Sequence, residues 1–140
     1  PYEMTYEPGE SRSALFGGNS NWRGPIWFPV NYLLIEALER FHHFYGDSIT
    51  VELPTGSGKH TSLMEASNEI SRRLSAIFTL NDKGFRPCFG DNLRYAADPH
   101  WRDCVLFHEY FHAEVGCGLG ANHQTGWTAL ITRCLAKAAR

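Results

Sequence analysis

Apolar residues recur with helical spacing at Val30, Leu33, Leu34, Ala37, Leu38, Phe41, Phe44 and Tyr45. This pattern predicts an amphipathic helix from Pro29 to about Tyr45. Pro29 suits its first turn and Gly46 its end. Ile49-Thr50-Val51-Glu52-Leu53 alternates as a short strand does. A second helix is predicted from about Ser62 to Phe78, with Leu63, Ala66, Ile70, Leu74, Ile77 and Phe78 on one face. Ser62 and Glu65 have the spacing of a capping box at its start. A third begins near Thr125, read as its cap, and carries Trp127, Leu130, Ile131, Cys134, Leu135 and Ala138. Between these, Asn81 to Gly84 reads as a turn and Phe85 to Pro99 as irregular chain broken by prolines and glycine. Trp101 to Ala113 fits a strand or a helix. Residues 1–12 read as an extended polar lead-in. Phe16 to Pro29, with its glycines, prolines and two tryptophans, is a loop and not a helix.

Length and composition narrow the classes. The 140 residues suit one domain, and 43% hydrophobic content argues against disorder. Net charge is −2, with no basic run to attract nucleic acid or anionic lipid. No apolar stretch approaches the length of a membrane span, and no signal peptide is expected. A chain that opens on Pro1 is expected to be a piece of something longer. Cys88, Cys104, Cys117 and Cys134 are too widely spaced for a zinc ribbon or a C-x-x-C motif and are read as thiols in packing positions. A cytoplasmic location is favoured. Aromatic residues reach 14%, with four tryptophans, which fits either a heavy core or a ligand wall.

Three stretches could carry chemistry. His108-Glu109-Tyr110-Phe111-His112 has the H-E-x-x-H form of zinc proteases, in which two imidazoles one helical turn apart bind metal and the acid acts as base. Val115 and Gly118 stand where the extended motif needs Gly and His, so the expectation is no bound metal, with His123 left as a third-ligand candidate. Thr55-Gly56-Ser57-Gly58-Lys59 has part of a phosphate loop, but Leu53 replaces the leading glycine and His60 the magnesium-binding hydroxyl. The third is Glu109 itself, an acid among aromatics, followed by the glycine run Gly116-Cys117-Gly118-Leu119-Gly120 and then by Gln124 and Trp127. Aromatic walls exclude water around an acid that moves protons, and glycines let backbone approach a ligand. Carbohydrate hydrolysis uses such an acid as one of a pair, with aromatics to hold the sugar. A structural ion pair is the other role open to Glu109.

Asn19-Ser20-Asn21-Trp22-Arg23-Gly24-Pro25-Ile26-Trp27 through Asn31-Tyr32-Leu33, then Pro54 to Gly58, Asp98 to Asp103 and Phe107 to Trp127, resemble in order the C-terminal catalytic region of glycoside hydrolase family 63. That family includes processing α-glucosidase I and mannosylglycerate-hydrolase-like enzymes; the Gly-Trp-Thr arrangement is also similar to trehalases. The resemblance implies an all-α fold, part of an (α/α)6 toroid with long irregular loops, of which residues 1–140 would be a C-terminal fragment. It implies an inverting α-glycosidase without cofactor. Glu109 would be the general base, and the general acid an Asp in a missing N-terminal part that also covers the apolar helix faces. Trp22, Arg23, Trp27 and Gln124 match pocket positions, with Tyr110, His112 and Trp127 beside them. The family shows His-Gly-Asp where this chain has His112-Ala113-Glu114. A zinc hydrolase on His108 and His112, or a non-catalytic helical carbohydrate-binding piece, are the rival readings.

Overall fold

The computed structural model describes residues 4–13 and 21–139. Residues 16–20 of the predicted tryptophan loop lie outside them. Helix α1 (Phe28–Tyr45) begins with proline in its first turn and ends at Gly46, whose φ of 57° a residue with a side chain adopts only under strain. Strands β1 (Thr50–Glu52) and β2 (His60–Ser62) pair antiparallel, Val51 opposite Thr61. Helix α2 (Leu63–Ala76) follows directly. Ser62 Oγ accepts from the Glu65 N–H, and the Glu65 carboxylate accepts from the Ser62 N–H, which completes the predicted capping box.

Beyond α2 the chain makes a 3₁₀ turn at Pro87–Phe89 and the short helix α3 (Leu93–Ala97). Strands β3 (Tyr110–Phe111) and β4 (Gly118–Leu119) then pair, and Ile26 bridges the other side of Phe111 with two backbone bonds of 2.8 and 3.0 Å. The last predicted helix is two: α4 (Thr125–Thr128) and α5 (Ile131–Ala138). Gln124, not Thr125, occupies the N-cap position, and no side chain caps it. The chain is mainly helical. Strand β1 lies where alternation predicts it, whereas β2, β3, β4 and α3, of two to five residues, are too short to show a period.

Helix α2 packs against both α1 and α5. The core gathers Phe28, Ile35, Leu74, Ile77, Phe78, Ile131 and Cys134 from these helices and Phe111 from β3. Phe28, Phe78 and Phe111 meet edge to face at centroid distances of 5.3 to 5.7 Å. Lys137 of α5 donates to Glu39 of α1 and to Ser67 of α2, which ties the three helices by charge as well as packing. Strand alternation then does something useful. With Phe111 turned into this core, Tyr110 faces the opposite side, where the candidate site lies.

The face of α1 opposite Phe28 and Ile35 is also apolar. Val30, Leu33, Leu34, Phe41 and Phe44 stand exposed there, Phe44 at 79%. Among the described residues no helix is long and apolar enough to cross a membrane.

Candidate active site

Three aromatic rings form a ladder. Trp22 stacks on Trp27 at 4.0 Å and 4° between planes, and Trp27 stacks on Tyr110 at 4.6 Å. Trp127 meets Trp22 and Trp27 edge on at 6.0 and 6.3 Å. The ladder corrects two sequence expectations. Trp27 is 2% exposed and Tyr110 not at all, so neither presents its face to a ligand. They are the backing of the platform, whereas Trp22, at 48% exposed, is its surface. The Trp27 indole N–H donates to the Asn21 carbonyl at 3.2 Å. The Trp127 indole N–H is buried and has no hydrogen-bond partner among the described residues.

Glu109 stands at the start of β3, half-buried. Its N–H donates to the Ala121 carbonyl at 2.8 Å, and its Oε2 accepts from the Ala121 N–H at 3.1 Å. The carboxylate is therefore held from the side by backbone. Gly120 makes this approach possible. Its φ is 68°, and a Cβ there would lie 2.7 Å from both Glu109 Oε2 and Tyr110 Cε1. Gly118 does the same for His108, whose ring carbons would lie 2.1 to 2.2 Å from an added Cβ. The glycine run thus lets β4 close over the two side chains that flank the bend into β3.

The remaining predicted residues are spread around this centre. Arg23 is exposed beside Trp22 on the loop, and its N–H donates to Asn21 Oδ1. Gln124 is exposed; its carbonyl accepts the Trp127 and Thr128 N–H groups, so its backbone orients Trp127. His112 is half-buried at the β3–β4 turn. It bonds Cys117 and Gly116 through its backbone, its Nδ1 accepts from the Glu114 N–H, and its ring lies against Gly9. His112 therefore shapes the turn.

Sequence reasoning missed Asn21 and residues 7–10. Asn21 is fully buried, and its Nδ2 donates to the carbonyls of Glu7 at 3.0 Å and Gly9 at 2.9 Å. The Pro8 carbonyl takes the Ala113 N–H at 2.8 Å. The presumed lead-in is thus docked against the site. An asparagine with two amide donors beside Trp22 was the available signal. Gly24 enforces the docking, because a Cβ there would lie 1.8 Å from the Glu7 carbonyl oxygen. Gly24→Ala is expected to lose about 2 kcal/mol and to free residues 7–10. Hydrogen exchange at the Ala113 amide should accelerate, and unchanged protection would contradict the docking.

The structure forms neither the helical metal motif nor a phosphate loop. His108 and His112 flank a bend at Glu109 and the two-residue strand β3, so the two imidazoles are not one helical turn apart. The Thr55–Lys59 stretch is the β1–β2 connection, and the Glu52 carboxylate accepts the Gly58 N–H at 2.5 Å. Bonds from Gly56 and Gly58 hold the Glu52 pKa below the ordinary carboxylate value. The amides that a phosphate would need are occupied from within. A separate cavity of 280 Å³ opens between α1, α2 and α5, beside Tyr32, Glu36, Arg133 and Lys137. Glu36 pairs with Arg40 and Glu39 with Lys137, and Arg133 bonds Tyr32.

Burial pushes the His108 pKa below its ordinary 6.5. As pH falls below about 6.5, the unfolded chain takes this proton first. The stability that His108 contributes is present above that pH and is lost as pH falls through the depressed folded value. Melting curves of the wild type and His108→Gln between pH 8 and 5 should converge toward the acid end. A gap independent of pH would refute this.

No family model and no solved structure matches the chain. Two curated proteins of Saccharomyces cerevisiae are similar to it. The uncharacterized protein YMR196W is 48% identical over 134 residues, 94% of this chain. A second is 28% identical over 123 residues, 87% of this chain. That relative is a mannosyl-oligosaccharide glucosidase. The chain spans 12% of the length of each. The likeness to the glucosidase takes in most of the chain and supports a link to glycosidases.

Proposed function

We propose that this chain is the C-terminal part of the catalytic domain of an inverting α-glycosidase acting on α-glucosides or small glycans. Glu109 is its general base, and the general acid is supplied by another part of the same polypeptide. The observation that carries the reading is the placement of Glu109. One carboxylate oxygen is fixed on the Ala121 N–H, beside a tryptophan platform whose outer ring is exposed. A sugar has an apolar C–H face that lies on such a ring and hydroxyls that need acceptors at its edge. A base fixed in position can draw a proton from a water aimed at the anomeric carbon. Inverting enzymes leave room for that water by separating acid and base by roughly 6.5–9.5 Å.

The exposed apolar stripe of α1 and the small share of each relative that the chain spans support a further element of the reading. This piece packs into an (α/α)6 toroid, with the remainder of its own polypeptide covering α1.

The test is hydrolysis of maltose-type α-glucosides by the full-length polypeptide, with the product anomer followed by proton NMR. The β-anomer should appear first and mutarotate later. Release of the α-anomer first would reject inversion, and no release from any α-glucoside would reject the activity.

A further inference from the structure

The segment before α1 brings a second carboxylate to the site. Tyr110 is fully buried, and its hydroxyl donates to Glu10 Oε1 at 2.9 Å. Cε1 of the same ring, next to the hydroxyl-bearing carbon, lies against Gly120, where Glu109 Oε2 is equally close. The phenol therefore has two acids near it, Glu10 and Glu109. Burial first, then the bond to Glu10 and the charges of both acids, raises its pKa well above the ordinary value. Among the described residues nothing else bonds Glu10, and its side chain is exposed. Its backbone is held by its neighbours: Asn21 bonds the Gly9 and Glu7 carbonyls, and Ala113 bonds the Pro8 carbonyl.

We propose that Glu10 binds ligand, its outer oxygen accepting hydroxyls of an uncharged polyhydroxylated molecule whose apolar face lies on Trp22. An ionised carboxylate is an acceptor with two oxygens, and Tyr110 uses one. The second is left to accept from hydroxyl groups, for which a charged acceptor is the stronger partner. Two acids near one phenol disfavour an anionic ligand, and the exposed ring of Trp22 suits an apolar C–H face. An uncharged polyol is the chemistry that remains. The assignment rests on the glycosidase reading of the site and adds to it a residue that sets affinity.

The experiment uses the full-length polypeptide carrying Glu109→Gln, so that ligand is bound and not consumed. Tryptophan fluorescence is titrated with methyl α-D-glucopyranoside, with and without Glu10→Gln or Tyr110→Phe. Glu10→Gln should raise Kd about ten-fold, as for loss of a charged acceptor, and Tyr110→Phe less than two-fold. Equal effects of the two variants, or none from Glu10→Gln, would make Glu10 a strut for Tyr110 and overturn the proposal. In the Glu109 enzyme, Glu10→Gln should raise KM and leave kcat; the reverse split would make Glu10 a proton donor and also overturn it. Sugar binding without hydrolysis by the wild type would sink the glycosidase reading and leave the Kd ratio to judge Glu10. Hydrolysis with Glu10→Gln unchanged in KM would sink Glu10 alone. Neither binding nor hydrolysis would sink both.

Discussion

Glu109→Gln in the full-length polypeptide is expected to lower kcat about 1,000-fold while sugar affinity changes by less than about two-fold. The amide keeps an oxygen to accept from the Ala121 N–H, so the side chain stays where Glu109 is held. It keeps the shape of the site and the ladder behind it. It cannot take a proton from water. The loss should therefore fall on turnover and not on binding, which is the signature of an interaction made in the transition state. Kinetics on an α-glucoside, paired with fluorescence titration, separate the two. A wild-type rate would reject the base role, and an equal loss of affinity would mean that Glu109 binds sugar and does not activate water.

Trp27→Ala is expected to cost about 4 kcal/mol of stability. The indole is 2% exposed, stacked between Trp22 and Tyr110, and bonded to the Asn21 carbonyl. Removing it opens a cavity beneath the platform and leaves that carbonyl without its donor. Trp22→Ala should differ. Its ring is half in solvent, so stability should drop by about 1 kcal/mol or less while sugar affinity falls about ten-fold. Denaturant midpoints and sugar titrations of both variants check the contrast. A Trp27→Ala protein that melts normally but binds poorly would place Trp27 at the ligand surface.

Part of the scaffold was legible from spacing. The periodicity of α2 sets the phase of that helix, and Ser62 with Glu65 marks its start by local chemistry. In α1 the regularly spaced apolar residues form the exposed stripe, and the core takes Phe28 and Ile35 instead. Local chemistry also misled. Thr125 has the hydroxyl of a cap, but the backbone turns one residue earlier, at Gln124. Thr55 to Lys59 has glycines of the right kind, but a strand returns before the helix starts and Glu52 fills the loop. At the site, the aromatic surroundings of Glu109 were legible from its neighbours in the sequence. The buried state of Trp27 and Tyr110 was not, since composition does not tell which rung of an aromatic ladder faces water. The docking of residues 7–10 was invisible for a related reason. It depends on bonds to Asn21 and Ala113, far along the chain, which polar sequence alone does not announce.

A helix with greasy residues on two opposite sides cannot serve as the outer boundary of a folding unit. Phe28 and Ile35 commit one side of α1 to α2, and Leu33, Phe41 and Phe44 leave the other in water. Any expression boundary drawn so that this second side stays bare will yield material that self-associates through it. A polypeptide boundary is therefore best chosen by whether it brings a layer over Phe44.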